Sequence, residues 1–325
     1  MKNLRKIRAF GAALVVAIAP VSLVTAEQWD LSDISKIALD GVSGDVIVRP
    51  ADGGGARIEL YEDVRPQGAF DVTVDQDGST LRIEEEWRGS SSGKVEWTIY
   101  VPSGGEPQLD VDTASGSLDC RDVNVSIRFE SASGSIELQK VGLGRDSDFR
   151  TASGDYKIVD MTVQEDAGFR TASGDIELER VEIEDGVTFA SASGDVRAEG
   201  CTGHLNLKSA SGDVVVRDST VVGEGRFSSA SGDVSLYLNG VPDDGLSASS
   251  ASGKVLFDAG GLGGDYTLVM VADEKKGRID CPLDFTSERT FERHDRSFDE
   301  KTVERGSGGP KIALETSSGS VIVKN

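Results

Sequence analysis

The stretch Thr171-Ala172-Ser173-Gly174-Asp175-Ile176-Glu177-Leu178-Glu179 decides the fold. Read as an extended chain, it places Ala172, Gly174, Ile176 and Leu178 on one side and Ser173, Asp175, Glu177 and Glu179 on the other. A turn containing Asp185-Gly186 follows, and Val187 and Phe189 then supply a second short apolar strand. Two strands and two corners use the whole unit and leave no room for a helix.

The same unit recurs. Its glycine corners are Gly116, Gly134, Gly154, Gly174, Gly194, Gly212, Gly232 and Gly253, with successive spacings of 18, 20, 20, 20, 18, 20 and 21 residues. Ile127 and Phe129, Leu205 and Leu207, and Phe149 or Phe169 fill the second-strand position in other copies. A fixed period of this size is the signature of stacked repeats. A lone two-strand coil cannot bury its inner residues, whereas stacked coils place Ile over Leu or Val and form a continuous core. The expected fold class is therefore all-β: a parallel β-solenoid, taken as right-handed, with coils of about 20 residues. Glycine at each corner lets opposed walls approach where a Cβ would obstruct them.

Both ends diverge. Val42-Ser43-Gly44-Asp45 and Ser92-Gly93-Lys94-Val95 are partial copies, so residues 27–110 read as divergent coils or a β-rich cap. Residues 111–258 form the regular repeats. In 259–325 a glycine-rich interruption precedes the apolar strand Tyr266 to Val271, a charged excursion over 287–296 and the closing Ser318-Gly319-Ser320. A hairpin or loop with a closing strand is expected there, and 27–325 is read as one continuous domain.

Residues 1–26 look like an export leader. Lys2, Arg5, Lys6 and Arg8 precede the short apolar run Ala9 to Ala19, and Val24-Thr25-Ala26 suits cleavage before Glu27. Pro20 and Ser22 stop that run before it reaches the roughly 20 residues of a membrane span. Losing those four cations from a chain of net charge −22 leaves −26. This excess of carboxylates excludes nucleic acid as an electrostatic partner and favours divalent cations or basic surfaces.

Cys120, Cys201 and Cys281 are too few and scattered for a disulfide framework. Cys120 and Cys201 stand four repeats apart, roughly 19 Å at the strand spacing, and are expected as buried apolar fillers. A Cys201–Cys281 bond stays open.

Asp155, Asp175, Asp195, Asp213 and Asp233 occupy equivalent corner positions. In register they form an outward column of carboxylates about 4.8 Å apart, which solvent and salt screen or calcium or another divalent cation binds weakly. No other cofactor is expected. The recurring serines at 133, 153, 173, 193, 211 and 231 suit corner capping rather than nucleophilic catalysis, because no base accompanies them. His204 and His294 stand outside any metal-ligand spacing. Arg289, Arg293 and Arg296 concentrate positive charge in the excursion and mark a protein-contact segment that would face the acidic side of another copy of the chain.

These repeated Ser-Gly-Asp or Ser-Gly-Ser corners followed by alternating Val, Ile or Leu resemble an exported bacterial family of unknown function that is named for adhesion. The resemblance runs from Val42-Ser43-Gly44-Asp45 to Ser318-Gly319-Ser320 and includes Gly308-Gly309-Pro310-Lys311-Ile312; Lys94 and Lys254 depart from the usual Asp or Ser. It implies a parallel β-solenoid and supplies no catalytic residues. The expected function is a noncatalytic cell-envelope scaffold or adhesin-like binding protein in the periplasm, at the surface or outside the cell. Its partners would be an envelope protein, a polysaccharide or a second copy, with no stable membrane span after processing. The alternative is a β-helix lyase or hydrolase acting on carbohydrate, which would need paired acids in a cleft.

Overall fold

A computed structural model describes residues 15–16, 25–30, 34–52, 56–102, 104, 106–164, 166–184, 186–260 and 263–324. The expected leader, 1–26, falls largely outside them. The described chain is all-β and largely parallel, with strands that recur in repeats. It divides into two compact units, residues 1–155 and 156–325. Among the described residues no helix is long and apolar enough to cross a membrane.

In the second unit the repeats over 156–221 contribute three strands each rather than the expected two. The first stack pairs 156–159, 176–179, 196–199, 214–221, 234–238, 255–258 and 320–324 in parallel register. The second stack pairs 168–171, 188–191, 206–209, 225–229, 246–250 and 311–316. Between them run two-residue strands, Thr162–Val163, Glu182–Ile183 and Thr202–Gly203, which form a third stack. One buried residue per strand, such as Val163 or Ile183, suffices to close the third side of the core. So short a strand carries no alternation, and its residues read as corner in the sequence.

The turn into this third stack holds a left-handed residue in each of these repeats: Asp160, Arg180, Gly200 and Asp218. Inside, side chains trade volume between stacks. Where the first stack offers Leu236, the second offers Ala248; where it offers Val216, the second offers Phe227, and all four are buried. Phe169 and Phe189 stack with ring centroids 4.6 Å apart, so register is carried by ring-on-ring contact as well as by backbone pairing.

The chain does not end at the edge of this unit. Strand 311–316 lies between 246–250 and 266–273, and 320–324 lies between 255–258 and 278–280. The excursion 266–305 therefore forms the outer layer, and the C-terminal coil is tucked inside it. Its hairpin pairs 287–293 with 296–305, turning at His294 and Asp295, both with positive φ.

The first unit uses the same device at its other end. Strand 36–40 lies between 108–113 and 80–87, and 45–50 lies between 118–121 and 92–101. The intervening chain forms antiparallel pairs, 57–65 with 92–101 and 70–77 with 80–87. Parallel repeats follow: 118–121 with 136–139, and 108–113 with 124–131 and then 148–151.

Candidate functional site

The corner glycines stack directly on one another. A Cβ built on Gly194, Gly212, Gly232 or Gly253 would overlap the carbonyl oxygen of Gly174, Gly194, Gly212 or Gly232, the corner before it. In the first unit Gly116, Gly134 and Gly154 meet Gly44, Gly116 and Gly134 in the same way. Close approach, not a left-handed dihedral, is what glycine supplies here.

Two ladders of side chains flank this glycine column. The residue three before each central glycine is a buried Thr or Ser, and at most corners its hydroxyl joins adjacent repeats. Ser209 Oγ accepts the Gly212 N–H and donates to the Gly194 carbonyl, both at 2.9 Å, and Ser191, Ser229, Ser250 and Thr316 do the same. The residue after each glycine forms the second ladder. Asp175 Oδ1 accepts the Asp195 N–H at 2.8 Å, Asp195 that of Asp213 at 2.7 Å, Asp213 that of Asp233 at 2.8 Å and Asp233 that of Lys254 at 2.7 Å.

These contacts revise the expected roles at the corner. Ala172 and Ser173 are both exposed, as are Ala132, Ser133, Ala192 and Ser193. The chain bends there, so Thr171 and Gly174 both face inward and simple alternation fails across the corner. The serines just before glycine therefore do not cap it; the Thr or Ser two places earlier does. That signal lay in the sequence, since Thr113, Ser131, Thr151, Thr171, Ser191, Ser209, Ser229 and Ser250 stand three before every central glycine.

Asp175, Asp195, Asp213 and Asp233 of the second unit thus each spend one carboxylate oxygen on a backbone N–H. Protein cations reach the other: Lys254 Nζ lies 2.9 Å from Asp233, and Arg197 pairs with Asp195 and stands 3.7 Å from Asp175. Hydrogen bonding to Asp233 raises the Lys254 pKa. Asp155 is also engaged. Among the described residues no group of three or more His, Cys, Asp and Glu could hold a metal ion.

The excursion arginines pair with groups of their own unit. Arg289 grips Glu300 with two bonds of 2.7 and 2.9 Å, and Arg293 pairs with Glu315. Arg296 binds buried Asp273 at 2.7 Å and donates to the Ser317 carbonyl at 2.6 Å. All three cysteines are free; Cys120 and Cys201 are buried, and burial pushes both thiols up. A Cys201–Cys281 disulfide is thereby set aside.

One solvent-facing cleft in the first unit gathers charge that the repeats do not use. It holds about 370 Å³ over strands 36–40, 80–87, 108–113 and 124–131 and is lined by Arg82, Glu84, Ala38, Asp40, Asp110, Asp112, Arg128 and Glu130. Register puts Glu84 beside Asp40, Asp40 beside Asp112 and Asp112 beside Glu130. The neighbouring row reads Arg82, Ala38, Asp110, Arg128, and the short Ala38 makes the hollow between longer side chains. Burial, then the charges of Glu130 and Asp40, hold the Asp112 carboxyl above its ordinary value. This cleft has no local signature, because Asp40 and Asp112 are 72 positions apart and meet only when the N-terminal coil is inserted.

Comparison with known proteins places these features in context. No curated protein matches the chain. Among solved structures, a protein named for lipid binding from Parabacteroides distasonis is 15% identical over 92% of this chain and 96% of its own, with a TM-score of 0.41. A protein named as an adhesin from the same organism is 12% identical over 92% and 96%, with a TM-score of 0.40. Another so named, from Bacteroides fragilis, is 13% identical over 95% and 100%, with a TM-score of 0.30. The family model described as Toastrack DUF4097 matches residues 34–260, from the inserted N-terminal coil through the last regular corner, and the chain belongs to that family.

Proposed function

We propose that the chain is an exported, noncatalytic cell-envelope protein, a scaffold or adhesin-like binder, built as a closed right-handed β-solenoid with coils of about 20 residues. The observation that carries this reading is the corner itself. Glycine, hydroxyl and aspartate of each repeat are all used in joining it to the next, so the repetition is a device for building wall. Recognition then falls to the solvent-facing rows between corners, of which the charged cleft over Asp40 and Asp112 is one candidate. An envelope polysaccharide or protein is the expected partner. A divalent cation at the aspartate column would bind weakly, in competition with Arg197 and Lys254.

A carbohydrate-processing enzyme is the second reading, favoured by one observation. Asp40 and Asp112 are register partners in a cleft, and one of the two carboxyls is held above its ordinary value. One experiment separates the two. Purified protein is incubated with envelope polysaccharides and envelope protein extracts, and both retention and product formation are measured for wild type, Asp40→Asn and Asp112→Asn. Retention without turnover, weakened by either substitution, is expected. Bond cleavage abolished by either substitution would replace the binding reading with the enzymatic one.

A further inference from the structure

Asp122-Val123-Asn124-Val125-Ser126 contains the Asn-X-Ser acceptor pattern of N-glycosylation, with valine rather than proline at the middle position. The fold presents this segment to solvent. Val123 and Val125 are buried at 7% and 0% exposure, which turns Asp122, Asn124 and Ser126 outward, and Asn124 itself is exposed. Asp122 has φ 57°, so the segment projects from a corner where the first-stack strand ends.

The position is singular among its equivalents. Register pairs Asn124 with Gly142, and in the second unit the same place is held by Thr162, Glu182, Thr202 and Thr220. The Asn124 amide lies over Gly142, where any Cβ would overlap its oxygen. Beside it is an open hollow of about 370 Å³ lined by Pro50, Val101, Pro102, Asp122, Asn124 and Lys140. Prolines and valine offer an apolar floor there, and Lys140 and Asp122 offer polar groups at the rim, a combination that suits the first sugar residue of a glycan.

We propose that Asn124 is an N-glycosylation acceptor, modified by an oligosaccharyltransferase that draws on a lipid-diphosphate-linked oligosaccharide. In this transfer a bond forms between Asn124 Nδ2 and the anomeric carbon of the first sugar. The bond from that carbon to the donor's diphosphate oxygen breaks, the lipid diphosphate leaves with the electron pair, and the amide nitrogen loses one proton. The inference rests on export of the chain, because such transfer takes place on the far side of the cytoplasmic membrane.

The test is intact mass and peptide mapping of the full chain purified from fractionated cells of its native host. The expected result is an exported chain carrying whole sugar residues on the peptide that contains Asn124. The added mass should vanish in Asn124→Gln and Ser126→Ala, and persist in Ser126→Thr and in Asn239→Gln, which alters an asparagine outside any such pattern. An exported chain at its unmodified mass, or sugar mapped to another peptide, would overturn the glycan and leave export standing. A full-length chain kept in the cytoplasm would overturn both. Circular dichroism of each variant separates loss of the glycan from loss of fold.

Discussion

The carboxylate of Glu85 accepts the backbone N–H of Val42 at 2.8 Å, although 43 residues separate the two. Its position follows from the polarity of the corner ladder. Ser115 donates to the Val42 carbonyl, Ala132 to that of Ala114 and Ser153 to that of Ala132, so every corner N–H points back to the repeat before it. Among the described residues no earlier repeat stands before the first corner, Val42–Ser43. Glu85 fills that place, taking the N–H groups of Val42 and Ser43 and the indole N–H groups of Trp97 and Trp87. Glu85→Ala should therefore destabilise by about 3 kcal/mol, since buried donors lose their acceptor. Glu85→Gln, which keeps one acceptor oxygen, should cost about 1 kcal/mol. Urea unfolding checks both, and an alanine variant as stable as wild type would remove Glu85 from this role.

The opposite polarity appears at the end of the second unit. There the last corner carbonyl, that of Ser317, accepts from Arg296, whose guanidinium is fixed by Asp273. Burial pushes the Asp273 carboxyl up, but the N–H groups of Lys276 and Lys275 and the Arg296 guanidinium outweigh it and hold the group below its ordinary value of 3.8. A carboxyl lowered in the folded state stabilises the fold above its unfolded value and loses that contribution as pH falls toward the folded one. Asp273→Asn should lower the thermal midpoint at pH 7 and flatten its decline below about pH 4. Equal acid limbs for variant and wild type would contradict the assignment.

Gly212→Ala should cost about 3 kcal/mol or more, because its Cβ would overlap the Gly194 carbonyl and backbone on both sides must shift. Gly240→Ala supplies the contrast. Nothing lies within 4 Å of a Cβ at Gly240 and its φ is not positive, so the substitution should be neutral or stabilise by about 0.5 kcal/mol. Chemical denaturation of the two variants decides whether close approach or mere flexibility explains the corner glycines. Equal effects would favour flexibility.

Ser209 and Ser211 differ by two positions and should differ sharply in consequence. Ser209→Ala leaves the Gly212 N–H without its acceptor and should cost about 1–3 kcal/mol, whereas exposed Ser211→Ala should change stability by less than about 0.5 kcal/mol. Ser209→Thr should be tolerated, since Thr171 and Thr316 fill the same place. Matching losses at 209 and 211 would return the capping role to the serine beside glycine.

That pair also shows how much of the molecule was legible in its sequence. Strand residues such as Ile176, Leu178 and Phe189 announced themselves because alternation and burial coincide there. The inward turn of Thr171 did not, because two bent residues at Ala172–Ser173 shift the phase. Val163 and Ile183 were hidden by the shortness of their strands. Glu85, Asp40 and Arg296 were hidden by distance along the chain: each acts on a coil inserted against it from far away, and no local pattern encodes such an insertion. The aspartates were visible as a column, but their use as acceptors for the next repeat depends on register, which a single repeat does not contain.

Strand Ser287–Arg293 is the outermost strand of its stack, and among the described residues nothing pairs with its far side. Such an edge invites pairing with another copy. Its charges oppose this. A symmetric antiparallel pair centred on Thr290 sets Glu288 against Glu292 of the other copy, and one centred on Phe291 sets Arg289 against Arg293. Like charges directly opposite destabilise each pair by about 0.2–1 kcal/mol, and registers centred on Glu288, Arg289, Glu292 or Arg293 set that charge against its own copy. Wild type should therefore sediment as a monomer through this edge. Replacing Glu288, Arg289, Glu292 and Arg293 together with threonine removes the repulsion and raises strand propensity, at the loss of surface ion pairs with Glu300, Glu315 and Lys301. The variant should then dimerise as concentration rises in analytical ultracentrifugation. A variant that stays monomeric, or a wild type already dimeric through this hairpin, would show that charge is not what guards the edge.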